Sequence, residues 1–264
     1  MTAADHETIR IERPDRVARI VLNRPDDLNS ITPTLLEELA TATDDLDADS
    51  DVRCLLVTGA GDRAFSAGAD LSALAADDMT APEGVELARR GQETFGRLEA
   101  CDTPVVAAVD GFCLGGGMEL ATAADLRIAT DDATFGQPEH DLGLLPGWGG
   151  TQRLPTLIGE SRAKEIIFTG DRYSADEMAD YGFLSSVVDA DEFDERALAL
   201  AEQLAAGPPL AQKYTKRAMR AGRDDTDAGL ETEAHAFGQL LDTEDFSDGV
   251  DAFRNDDKPA FTGR

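Results

Sequence analysis

The triple glycine Gly115-Gly116-Gly117 constrains this chain most, because of what flanks it. Pro104 to Val109 is a continuous apolar run that suits a buried strand, Gly111 ends it, and Leu120 to Ala124 continue a short helix that opens at the glycines. Where a strand passes into a helix through residues without side chains, the unpaired N–H groups of the first helical turn stand open to a ligand, backed by the positive end of the helix dipole. A second segment, Ala64-Phe65-Ser66-Ala67-Gly68-Ala69-Asp70-Leu71, has the same context. Two such N–H groups converging on one carbonyl oxygen would form an oxyanion hole, whereas glycines in tight turns can equally serve packing alone. The spacing fits no dinucleotide GxGxxG fingerprint and no GxxxxGK phosphate loop, and Ser66 lacks the GxSxG nucleophile elbow.

Around these segments the pattern alternates between strand and helix. Thr8 to Arg13 and Val17 to Asn23 predict a hairpin about Pro14-Asp15-Arg16; Thr32 caps a helix with Pro33 in its first turn and Leu35, Leu36, Leu39 and Leu46 on one face. Val52 to Val57 predicts a buried strand, Glu83 to Ala100 a helix, and Leu126 to Ala129 a further strand. Strand, helix, strand, helix favours an α/β core with crossover connections. From Gly150 onward the signals are nearly all helical (Arg162 to Phe168, Ala175 to Tyr181, Glu192 to Ala205, Pro209 to Ala221), interrupted by one strand at Leu184 to Val188. Gly222 to Asp227 is a weak, acidic boundary candidate.

Composition narrows the function classes. With 53 acidic and 24 basic residues the formal net charge is −29, which argues against binding nucleic acid through its phosphates. Lys164, Lys213, Lys216 and Lys258 are the only lysines, and acids cluster in pairs such as Asp44-Asp45, Asp77-Asp78 and Asp131-Asp132. Such a surface fits a protein adapted to high salt, where screening suppresses self-repulsion; a plain acidic surface is the alternative. No apolar run approaches the ~20 residues of a membrane span, and Met1 to Glu7 carry no basic stretch before an apolar one, so neither membrane nor secretion is expected. Cys54, Cys101 and Cys113 are odd in number, far apart and set in apolar segments; they suit small core residues in a reducing cytoplasm, and neither disulfides nor metal ligands.

Acid placement sharpens the reading. Glu119 lies in the first turn after the triple glycine, and Glu139 follows in Phe135-Gly136-Gln137-Pro138-Glu139. Together with Leu22-Asn23-Arg24-Pro25, Leu28-Asn29, Pro104 to Gly111, Leu142 to Gly147, Gly149-Gly150-Thr151-Gln152-Arg153-Leu154 and Thr169-Gly170, these segments resemble the enoyl-CoA hydratase/isomerase family, the crotonases, over Ile9 to Phe261. The resemblance implies an α/β spiral of ββα units over residues 1–200 carrying the site. A C-terminal helical region over 201–264 would cover the site and build a homotrimer or dimer of trimers. It implies an acyl-CoA thioester as substrate, with coenzyme A belonging to the substrate and no separate cofactor or metal.

Carried over position by position, the oxyanion donors are the N–H groups of Ala69 and Gly116, and Ala67, Gly68, Ala69, Asp70 and Leu71 line the path of the pantetheine and adenine. Glu119 and Glu139 are the hydratase acids, Glu119 mainly activating water and Glu139 protonating C2. Two carboxyls sharing one water resist ionising together, so their titrations should be coupled. Leu28 belongs with the substrate contacts, and Trp148 could shape the acyl pocket or pack in the core. His140 could be catalytic, but a hydrogen-bonded loop histidine is the favoured reading. Asp26-Asp27 stand where many relatives have lysine, which leaves Arg24 and Lys258, the latter from a neighbouring subunit, to anchor the phosphates. The leading expectation is hydration of 2-enoyl-CoA; a Δ3,Δ2-enoyl-CoA isomerase and a non-catalytic CoA-binding relative are the alternatives.

Overall fold

The computed structural model describes residues 6–71 and 79–264; the pair Asp77-Asp78 lies outside them. Among the described residues ten strands form two sheets. The larger, in order β1-β2-β3-β5-β7-β10, contains β1 (Ile9–Glu12), β2 (Val17–Leu22), β3 (Cys54–Gly59), β5 (Val105–Val109), β7 (Leu126–Thr130) and β10 (Ser186–Val188). The smaller, in order β4-β6-β8-β9, contains β4 (Ala64–Ser66), β6 (Phe112–Leu114), β8 (Thr134–Gly136) and β9 (Tyr173–Ser174). The first pair is the expected hairpin, with Ile9 opposite Leu22, and from β2 onward the large sheet is parallel.

The two sheets are threaded by one repeating step. β3 enters the large sheet and β4 the small one; β5 and β6 do the same, and then β7 and β8. A helix or helical turn follows the second and third pairs: α3 (Gly116–Thr122) follows β6, and the 3-10 turn Pro138–Leu142 follows β8. Stacked ββα units are what the resemblance led one to expect. The second strands went unrecognised in the sequence because three residues are too few to show a period.

Burial of the parallel sheet on both faces explains its unbroken apolar runs. Leu55, Val57, Val105, Ala107 and Val109 face one core together with α1 (Pro33–Asp47) and α2 (Ala81–Ala100). Cys54, Leu56, Val106, Ala108 and Ile128 face the other, closed by Phe193, Ala197, Ala201 and Ala205 of α7 (Phe193–Ala205). Residue 200, the expected limit of the core, falls inside this helix. All three cysteines are free and buried, and burial pushes the Cys54 and Cys101 thiols up to about 12.

Local capping works as the residue types dictate. Thr32 Oγ1 accepts from Leu35 N at 3.1 Å, and Leu35, Leu36, Leu39 and Leu46 are buried. The strand expected over Val52 to Val57 begins and ends two residues later, since Val52 N is used in a turn to Asp49 O. Three further short helices, α4 (Gly150–Ile158), α5 (Glu160–Thr169) and α6 (Ala175–Asp180), precede α7. Beyond it come α8 (Pro209–Ala221), α9 (Thr226–Leu240) and α10 (Glu244–Asn255). Within the acidic segment flagged as a boundary, Asp225 caps α9 by accepting from Asp227 N and Ala228 N. No described helix is long and apolar enough to cross a membrane.

Candidate active site

The two glycine loops meet because side chains are missing where they cross. Gly68 has φ +99°, and a Cβ on it would stand 2.9 Å from Leu114 O and 3.2 Å from Gly116 N. Gly117 is as tightly placed, its Cβ position 2.8 Å from Ser66 Cβ. The Ala67–Asp70 loop is pinned along its length: Ala67 N donates to Leu28 O (3.0 Å), Gly68 N to Ser66 Oγ (3.2 Å), Ile31 N to Gly68 O (2.8 Å) and Asp70 N to Ile31 O (3.0 Å). Asn29, fully buried at φ 52°, ties Arg24 N (2.9 Å), Ala60 O (3.0 Å) and Ala64 O (2.7 Å) together and so fixes the strand that leads into this loop. Ala69 N and Gly116 N are left with no protein acceptor among the described residues, and a Cβ on Gly116 would lie 3.4 Å from Ala69 N. Two free N–H groups therefore stand side by side.

Glu119 sits in the first turn of α3, 2% exposed. Its Oε1 accepts from Trp148 N (2.7 Å) and Gly150 N (2.8 Å), leaving Oε2 without a protein donor among the described residues. Burial outweighs these two donors and pushes the carboxyl up to about 7. Glu139, in the 3-10 turn after β8, reaches back to the triple glycine: a Cβ on Gly115 would lie 2.8 Å from its Oε1. Burial first, and then the neighbouring Glu119 charge, raise it to about 7 as well. Glu139 thus faces the glycine turn that exposes the N–H pair, near enough to Glu119 to feel its charge.

Gln137 was not singled out in the sequence. It is fully buried, and with its amide nitrogen turned toward Glu139, the orientation its hydrogen-bonding surroundings favour, it donates to both carboxylate oxygens at 3.2 and 3.0 Å. Its place two residues before Glu139 was the only available signal.

The remaining candidates divide. Trp148 is buried, packs edge to face on Phe95 with ring centroids 5.8 Å apart, and lies against Gly116, so core packing and contact with the site are one feature. His140 is exposed, with its ring near that of Phe168. Leu28 is half-buried at φ 52°, while Leu71 is 53% exposed beyond the loop. Arg24 is already engaged: it donates to Ser30 O (2.7 Å), Ser30 Oγ (2.8 Å) and Asp27 (2.8 Å), and pairs with Asp70 at 3.1 Å. Lys258 is exposed, and the tail after it, Pro259–Thr262, packs beside Asp15–Val17 at the start of β2, whereas Arg24 follows the end of that strand. Within one chain the two basic residues are not brought together. Among the described residues no group of three or more His, Cys, Asp or Glu could hold a metal ion.

The sequence profile described as "Enoyl-CoA hydratase/isomerase" matches residues 12–264. The short-chain-enoyl-CoA hydratase of Clostridium acetobutylicum is 41% identical over 244 residues, covering 92% of this chain and 93% of that one. The crotonyl-CoA hydratase of Syntrophomonas wolfei is 38% identical over 260 residues, covering 98% and 99%. Among solved structures, an enoyl-CoA hydratase from Bacillus anthracis superposes with a TM-score of 0.92 at 37% identity, covering 98% of this chain and all of that one.

Proposed function

This chain belongs to the enoyl-CoA hydratase/isomerase family, and on that footing we propose that it adds water across the double bond of a 2-enoyl-CoA to give the 3-hydroxyacyl-CoA. The observation that carries this reading is the pair of buried Glu119 and half-buried Glu139 beside the free N–H groups of Ala69 and Gly116. A thioester oxygen accepting from both N–H groups draws charge toward an enolate, which makes C3 electrophilic; removal of one such donor costs roughly 3 kcal/mol in other enzymes. Glu119 Oε2, with Oε1 fixed by two N–H groups, takes a proton from the water that attacks C3, and Glu139 delivers one to C2. Carboxyls held near neutrality can exchange protons in both directions at physiological pH.

The reading extends beyond the chemistry. The names of the two relatives point to short-chain acyl groups as first substrates. No metal or redox cofactor enters the proposed steps. Leu230 (57% exposed), Phe237 (66%) and Phe253 (88%) on α9 and α10 support assembly of copies of this chain through the C-terminal helices, in a trimer or dimer of trimers. The charge of −29 supports a protein working at high salt, and the three buried thiols support a reducing cytoplasm. Loss of the ultraviolet absorbance of the conjugated thioester, followed with crotonyl-CoA in molar KCl, tests the activity. A wild-type protein that leaves 2-enoyl-CoA untouched while shifting the double bond of 3-enoyl-CoA would overturn it in favour of isomerisation.

A further inference from the structure

The turn that holds Glu119 is itself held, from outside the site. Both N–H groups donating to Glu119 Oε1 belong to Trp148–Gly150, and the carbonyls of Gly147, Trp148 and Gly149 each have a donor. Gly147 O accepts from Gln92 Nε2 of α2 at 2.8 Å, and Gly149 O from Gln152 N and Arg153 N at 3.0 and 2.9 Å. Trp148 O accepts from Arg153 Nη1 at 3.0 Å. The Arg153 guanidinium folds back over the turn because Gly149 (φ +113°) has no side chain to obstruct it.

Arg153 is fixed in turn. Its side chain is only 13% exposed, and Nε donates to Glu99 Oε2 of α2 at 2.8 Å. The other Glu99 oxygen accepts from Arg223, just past the end of α8. Glu99 is held below the usual carboxylate range by these two arginines, against its own burial. The surrounding ion pairs, Arg217 and Lys213 with Asp102 and Lys216 with Asp125, dock α8 on the same edge of the core. A hydrogen-bonded path thus runs from the C-terminal helices through Glu99 and Arg153 to the Trp148 peptide and Glu119.

Resting on the hydration reading, we propose that Arg153 is a positioning residue for Glu119: clamped by Glu99, its guanidinium fixes the Trp148–Gly150 turn and keeps a positive charge behind the carboxylate. The charged groups facing Glu119 are Glu139 from the turn after β8 and Arg153 from α4, and the Arg153 charge favours the ionised form of Glu119. Without it the carboxyl stays protonated to higher pH, and the turn loses the donor on Trp148 O.

The test is a pH profile of kcat and KM with crotonyl-CoA for wild type, Arg153→Met, Arg153→Lys and Glu99→Gln, each first checked for folding by circular dichroism. Arg153→Met should lower kcat by about ten- to a hundredfold with KM nearly unchanged, and move the acidic limb of the kcat profile to higher pH. Arg153→Lys, which keeps the charge, should return the limb toward wild type, and Glu99→Gln should shift it in the same direction as Arg153→Met but by less. Should Arg153→Met fail to fold, Glu99→Gln decides. A folded variant with an unmoved limb and an unchanged kcat overturns the proposal. An inactive wild type overturns the hydration reading instead; the titration of Glu119, read by carbon NMR with Glu119→Gln for assignment, then still decides whether Arg153 sets its ionisation.

Discussion

The indole of Trp148 lies against Gly116 so closely that a Cβ on the glycine would run into its six-membered ring at Cζ3. The same residue's N–H holds Glu119, so one tryptophan borders the proposed oxyanion donor and positions the proposed base. Gly116→Ala must therefore displace either the ring or the donor. We expect a loss of roughly a hundredfold or more in kcat/KM and a destabilisation of ~1–3 kcal/mol from overpacking. Crotonyl-CoA kinetics and a denaturant titration measure the two separately, and an alanine variant with wild-type kinetics would remove Gly116 from the chemistry.

Glu119→Gln and Glu139→Gln should each fold and each lose on the order of 10² to 10⁴ in kcat. Glutamine preserves the shape and the acceptor oxygen but can neither take nor give the proton. The Glu119 variant retains an acceptor for Trp148 N and Gly150 N, so its secondary structure should match wild type by circular dichroism. A fully active single variant would strip that residue of its role.

Stability should depend on pH in a direction opposite to that of most carboxylates. Glu119 titrates at about 7 in the fold against 4.5 for an unperturbed glutamate, so between those pH values the native state holds a proton that the unfolded chain has released. The slope of unfolding free energy with pH is then negative, and Glu119 costs stability as pH rises through this window. Glu119→Gln should consequently gain stability relative to wild type between about pH 4.5 and 7, by at most about 3 kcal/mol. Urea titrations at the two ends measure the difference. An equal effect of the substitution at both pH values would show that the carboxyl is not perturbed.

Much of this was legible in the sequence for identifiable reasons. Long elements announced themselves: the hairpin about Pro14-Asp15-Arg16, the Thr32-capped helix, and the helix ending at Ala100. The glycine loops were legible because close backbone approach leaves no choice of residue, as Gly68 and Gly117 show. The short second strands were not, since Ala64–Ser66, Phe112–Leu114 and Thr134–Gly136 exist through their neighbours in the small sheet. Nor was the engagement of Arg24 with Asp27 and Asp70, because Ser30 and Asp27 are near in sequence but Asp70 arrives from the Ala67–Asp70 loop. Gln137 and Arg153 act through another residue, and no local pattern marks that.

Salt should stabilise the protein in spite of its ion pairs. A net charge of −29 repels itself in dilute buffer, and molar KCl, with a screening length of ~3 Å, removes most of that repulsion. The pairs that dock α8, such as Arg217 with Asp102, are partly exposed and contribute little each, so their screening should not reverse the trend. The thermal midpoint is expected to rise from low to molar KCl. A flat or falling midpoint would leave the acidic surface as a matter of solubility alone.

Anchoring of the coenzyme A phosphates presents a sharper problem in so acidic a chain. Arg24 is committed to Ser30, Asp27 and Asp70, and Lys258 belongs to a tail that packs at the other end of β2. An exposed lysine there would serve an acyl-CoA bound to a neighbouring subunit, in keeping with the proposed assembly through the C-terminal helices. Lys258→Ala should then raise KM for crotonyl-CoA several-fold, about 1 kcal/mol or less for one partly screened phosphate contact, with kcat nearly unchanged. The same substitution should leave KM unchanged for a crotonyl-pantetheine thioester, which lacks the phosphates. Equal effects on the two thioesters would mean that Lys258 supports the fold of the tail and not the ligand.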